Sequence, residues 1–206
     1  GLTDDAHFML VYNISPAMSI SVVDLRKTKF VTEIPTAGCG LIYPVGKRAF
    51  LQICGDGAMQ LISLNKAGTE KSRSRSEQFF NVEADPLMEK AVRTGKGWVF
   101  PTFKGDLFRV SVKGEAITVE ALFSLDEENS GWRIGGMQSI AYHSANDLLL
   151  TLMHEGGEDT HKDPGTEVWF YNLSTKRLLH KMKLDNMASA IEVSQDEDPR
   201  IYTMFI

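Results

Sequence analysis

Between His154 and Asp163 the chain sets six side chains able to ligate a metal or move a proton: His154, Glu155, Glu158, Asp159, His161 and Asp163. Imidazole nitrogens and carboxylate oxygens at that density could hold a divalent cation. The spacing speaks against it, because loop zinc sites set their Cys or His pairs closer together and Gly156-Gly157 leaves these carboxylates unfixed. The length of the stretch favours a loop that docks a partner, since long insertions between strands are where binding concentrates. A merely solvated acidic loop is the plainer alternative. Ser139, His143 and Asp147 are the residue types of a hydrolytic triad, yet they fall at a strand end and a turn, with no nucleophile elbow around the serine. The glycine-rich stretches at 55–57, 95–97 and 131–136 lack the strand-to-helix context that phosphate cradling requires, so they read as turns. Trp98, Trp132 and Trp169 read as core or interface anchors rather than redox groups. No catalytic residue, cofactor-binding residue or metal ligand is assigned to this chain.

Two cysteines, Cys39 and Cys54, stand fifteen positions apart around a Pro-Val-Gly turn. The spacing suits two neighbouring antiparallel strands. A bridge needs an oxidising compartment, which composition does not show, so two buried free thiols stay open beside it.

These side chains must be positioned by strands. Residues 131–173 read as one structural unit: a Gly-rich turn, an apolar strand at Met137 to Tyr142, the polar turn HSAND, the strand LLLTLM, the acidic loop, and a strand at Glu167 to Leu173 rich in β-branched and aromatic residues. A fourth strand follows at Lys176 to Leu184. Four antiparallel strands in about fifty residues form the unit of a β-propeller blade. An earlier unit holds Cys39, the strands GLIYPV, RAFLQIC and AMQLISL, and the polar stretch Glu70 to Ser76. Its Gly55-Asp56-Gly57 is a hairpin turn that calls for positive φ. The first unit, from His7 to Ile34, lacks its first strand. The third holds GWVFPTF, LFRVSV and AITVEALFS after a connection, Asn81 to Lys90, with room for a helical turn. Ala188 to Val193 and Arg200 to Ile206 open a fifth. Third strands recur at 22, 61, 108 and 168, with the last interval stretched by the acidic loop. The expectation is an all-β chain, residues 1–206 forming a single partial β-propeller domain of about four blades that begins and ends inside blades. A β-sandwich is the rival, but it would rarely repeat one four-strand unit so regularly.

Composition narrows the partners. Of 206 residues 43% are hydrophobic, enough for a sizeable core, while the longest apolar runs fall far short of the roughly 20 residues of a membrane-spanning helix. A formal charge of −5 gives no general attraction to nucleic acid. The one basic cluster, Ser72 to Ser76, is diluted by Glu70, Glu77 and Glu83 and reads as an outer, solvated strand.

The wording of several segments is more particular: SISVVDLRKTKFVTEIPTAGC, ICGDG, SRSEQFF, GWRIGG, LMHEGGEDTHKDPGTEVW and VSQDEDPRIY. Together, over nearly the whole chain, they resemble the heavy (alpha) subunit of the tryptophan tryptophylquinone amine dehydrogenases, nearer the aromatic amine dehydrogenase branch than the methylamine branch. Departures exist: Ile134 stands where relatives usually carry Pro, and Gly40 where a larger residue is common. The resemblance implies a seven-bladed propeller of which this is part, and a disulfide between Cys39 and Cys54. It also implies a periplasmic enzyme that deaminates primary, aromatic amines. The quinone would lie in a cysteine-rich light (beta) subunit, in an alpha2beta2 heterotetramer, and electrons would pass to an azurin-like blue copper protein. This chain would carry no cofactor and would serve as scaffold. The surface expected to meet the light subunit is Trp132 and Arg133 with His154, Glu155, Glu158, Asp159, His161 and Lys162. The alternative is a non-catalytic propeller that binds a protein partner.

Overall fold

The computed structural model describes residues 1–125 and 131–205; the stretch from Asp126 to Ser130, expected as a lead into the fourth blade, lies outside them, as does Ile206. Seventeen strands and no helix make up the described chain. It clusters into two compact units, residues 1–86 with 110–119, and residues 87–109 with 120–206.

In the first unit, β1 (Phe8–Asn13), β2 (Ser19–Asp24) and β3 (Lys29–Pro35) form one antiparallel sheet. A first strand was expected to be missing here. Its remnant is present, because Leu2 bridges Met9 and the amide of Leu10 donates to the carbonyl of Gly1. A second sheet follows in simple order: β4 (Cys39–Val45), β5 (Ala49–Cys54), β6 (Met59–Leu64) and β7 (Glu70–Arg75). Alternation in these strands turns one set of apolar residues inward, and Phe8, Leu10, Ile20, Val22, Ile34, Phe50, Ile62 and Leu64 form one buried cluster. The 65–69 turn under it requires glycine: Gly68 has φ +86°, and a Cβ there would lie 2.6 Å from the Phe8 ring. At Gly40 the side chain a larger residue would bring has no room, because the Tyr12 hydroxyl stands 2.6 Å from the Cβ position.

Cys39 and Cys54 are joined by a disulfide. They face each other directly across β4 and β5. Their amides donate elsewhere, to Thr36 and Ala58, so this is a non-hydrogen-bonded pair, the kind whose side chains come closest. The outer strand β7 carries the basic cluster, and its arginines are partnered, Arg73 with Glu70 at 2.8 Å and Arg75 with Asp56 at 2.5 Å.

The third sheet runs β11-β10-β9-β8, with β8 at Val92–Thr94, β9 at Gly97–Pro101, β10 at Asp106–Lys113 and β11 at Ala116–Ser124. The sequence did not reveal β8, which has three residues of which only Val92 is buried. The connection before it is no helical turn. Asn81 caps a tight turn by accepting from the amides of Glu83 and Ala84.

The last sheet, wholly in the second unit, is built on β14 (Leu148–Glu155) and β15 (Gly165–Asn172). Its order is β12-β14-β15-β16-β17, with β13 (Ile140–His143) also on β14. Two expectations need correction. GWRIGG is not only a turn: Trp132–Ile134 is a strand, β12, antiparallel to the end of β14. The strands expected at Lys176 to Leu184 and Ala188 to Val193 are one, β16 (Arg177–Val193), which leaves β15 and pairs onward with β17 (Ile201–Phe205). No Gly or Pro between 177 and 193 interrupts it. Val99, Leu107, Ile134, Leu149, Met153 and Trp169 belong to the main core of this unit.

Candidate docking site

The β14–β15 hairpin carries the acidic loop, residues 156–164, and β12 lies along its base. Register puts Trp132 opposite Glu155, Arg133 opposite His154 and Ile134 opposite Met153. The two segments singled out in the sequence are thus neighbours. Trp132 and Arg133 are half-buried, Glu155, Glu158, Asp159 and Lys162 are exposed, His161 is half-buried, and His154 is buried.

His154 is the pin of the loop. Thr160 Oγ1 donates its only hydrogen to the carbonyl of Gly157 at 2.8 Å, so it must accept from His154 Nε2, 3.0 Å away. The ring is therefore the Nε2–H tautomer, with its Nδ1 lone pair buried and without a hydrogen-bond partner. Burial holds its pKa below the ordinary value; Asp163 draws it up and Arg133 pushes it down. Two glycines make room for the ring: a Cβ on Gly135 would lie 2.5 Å from His154 Nδ1 and against the Asp163 carbonyl, and one on Gly156 would lie 2.5 Å from Thr160 Oγ1. Gly156 thus lets Thr160 and the His154 ring close against the loop backbone. His161 points elsewhere and stacks on Phe103, ring centroids 3.4 Å apart, with its pKa also lowered by burial and then by Lys162. The two imidazoles do not converge. Among the described residues no three His, Cys, Asp or Glu side chains gather as a metal site would require.

The loop is a wall between two depressions. One, open and about 550 Å³, is lined by Trp132, Glu155, Asp163, Glu167, Lys183 and Met187. The other, about 190 Å³, is lined by Lys90, Phe103, Met137, His161 and Lys162 among others. Lys90, Phe103, Met137, Lys183 and Met187 were not singled out from sequence. Met137 had a signal, a large apolar residue directly after Gly-Gly, and it is 62% exposed.

Trp132 packs on Trp169 with ring centroids 5.2 Å apart and a tilt of 41°. Trp169 donates its indole N–H to Glu167 at 2.7 Å and carries the Lys181 ammonium 3.5 Å over its ring. The pair is a packing and cation–π arrangement. The paper triad is dispersed: buried Ser139 reaches Met88 Sδ, His143 bonds the Asp196 carbonyl, and Asp147 accepts from Tyr142 and the Ser174 amide.

Repeated antiparallel sheets in sequence order, one of them stapled between β4 and β5, define a β-propeller protein. Known folds agree. The chain superposes on dihydro-heme d1 dehydrogenase NirN with a TM-score of 0.64 at 14% identity, covering 98% of this chain and 40% of that one. It also superposes on the β-propeller domain of Myceliophteria thermophila Cps50 (Swd1) with a TM-score of 0.60 at 12% identity, covering 98% and 64%. Likeness at such identity concerns the fold alone. The particular family follows from sequence: the methylamine dehydrogenase heavy chain profile matches residues 1–206, and the chain belongs to that family. Against the methylamine dehydrogenase heavy chain of Methylorubrum extorquens it is 28% identical over 209 residues, 98% of this chain and 50% of that one. The chain spans about half the length of the curated relatives it matches.

Proposed function

We propose that this chain is part of the heavy subunit of a quinoprotein amine dehydrogenase, serving as scaffold and docking surface for a separate light subunit that bears a tryptophan tryptophylquinone. The observation that carries the reading is the family match along all 206 residues. The partner dock is the face of β12, the end of β14 and the 156–164 loop. Support for a periplasmic setting comes from the Cys39–Cys54 disulfide, a bond that persists in oxidising compartments. The finer reading adds a primary aromatic amine as substrate, an alpha2beta2 assembly and an azurin-like blue copper protein as electron acceptor. The quinone, when present in the partner, supplies the electron sink for amine oxidation. This chain's residues hold the partner.

The test is reconstitution of the full-length heavy chain with a light subunit encoded beside it, followed by turnover of phenylethylamine and of methylamine. Quinone absorbance is expected from the light subunit and not from the heavy chain alone, and amine turnover only in the mixture, with phenylethylamine the better substrate. Amine oxidation by the heavy chain alone would overturn the scaffold role, and preference for methylamine would overturn the aromatic branch.

A further inference from the structure

The two grooves on either side of the 156–164 loop carry opposite charge. In the larger, three carboxylates, Glu155, Asp163 and Glu167, stand against one lysine, Lys183, beside the Trp132 indole. In the smaller, two exposed lysines, Lys90 and Lys162, stand against Glu89 around the Phe103–His161 stack, with Met137 projecting at the rim. The same loop supplies both walls, Asp163 and Pro164 to the first and His161 and Lys162 to the second, so the grooves are adjacent by construction. The fold already shows which chemistry the first groove suits. Lys181 sits over Trp169, whose N–H is held by Glu167, and Trp132 is the next ring in that arrangement. A cation against an indole flanked by carboxylates gains from both the ring quadrupole and the ion pair. The second groove offers the reverse: an apolar floor of Phe103, Met88 and Leu87 with ammonium groups at its edge.

We propose that this face recognises a protein partner by a bipolar segment, a lysine or arginine laid against Trp132 between Glu155 and Asp163, and an aspartate or glutamate next to an apolar side chain over the Phe103–His161 stack between Lys90 and Lys162. This deepens the docking reading above and rests on it, the occupant being the light subunit. Charge complementarity of this kind sets the encounter rate and the register more than the final affinity.

The experiment uses full-length heavy chain and its native light subunit, with association followed by surface biosensor at several salt concentrations. Glu155→Lys and Lys162→Glu should each weaken binding about tenfold, mostly through a slower association rate, and flatten its salt dependence; Lys66→Glu, on an exposed turn of the other unit, should bind as the native chain does. Glu155→Gln and Lys162→Gln, which remove charge without reversing it, should fall between, which separates recognition from misfolding. If Glu155→Lys and Lys162→Glu both bind with native kinetics while the native pair associates, the bipolar segment is refuted and the docking reading survives. If the native chain binds no light subunit at all, the docking reading falls and this proposal with it.

Discussion

Gly135→Ala isolates what holds the acidic loop. Gly135 has no positive φ to defend, so only space is at stake: the new Cβ would collide with the Asp163 carbonyl and stand 2.5 Å from His154 Nδ1. The carbonyl is backbone and His154 is pinned through Nε2 to Thr160, so relief requires the loop to move. Overpacking of this kind costs about 1–3 kcal/mol, whereas replacing a glycine with alanine at an unstrained site returns about 0.4–1 kcal/mol by restricting the unfolded chain. The net expectation is a loss of roughly 1–2 kcal/mol. Gly157→Ala is the control, because a Cβ there meets nothing within 4 Å. The Gly→Ala gain is common to both variants, so urea unfolding should separate them by the overpacking cost, about 1–3 kcal/mol, and hydrogen exchange at residues 156–164 should accelerate only in Gly135→Ala. Equal midpoints and equal loop protection would refute the cradle.

Mutating both Cys39 and Cys54 to Ala should cost up to about 3 kcal/mol, the chain-entropy value for a loop of 15 residues, read as a lower urea midpoint; an unchanged midpoint would show that β4 and β5 need no staple. Because burial lowers the His154 pKa in the folded state, the neutral ring's stabilisation is present above the unfolded value of about 6.5 and is lost as pH falls below it. Proteolysis within 156–164 should therefore rise as pH falls below about 6.5, and a flat profile would contradict the buried neutral ring. Trp132→Ala should weaken light-subunit association by more than about 1 kcal/mol in the same biosensor assay, since tryptophan is among the residue types enriched at interface hot spots; normal assembly would leave the loop merely solvated.

Strand existence was legible wherever one face is buried. LLLTLM, VWFYNL and AMQLISL advertise themselves by β-branched, aromatic and aliphatic density, and each became a central strand of its sheet. What hid was structure whose cause is not local. β12 is three residues between glycines, and only its pairing with the far end of β14 makes it a strand. β16 reads as two strands because the polar Asp185-Asn186 pair is turn-forming in type, though the backbone runs on through it from Arg177 to Val193.

The loop shows the same limit in reverse. Its composition singles the loop out, but the slack expected of Gly156-Gly157 is not there, because glycine in a sequence carries no record of what stands next to it. In the fold, Gly156 is crowded by Thr160 and His154, and Gly157 supplies the carbonyl that fixes the Thr160 hydrogen. That single hydrogen bond determines which nitrogen of His154 carries its proton, and so determines that a second proton would put a charge inside the Gly135 cradle. The acidic loop is a shaped wall. Only a shaped wall can keep carboxylates in one groove and lysines in the next, a few residues apart, without their cancelling.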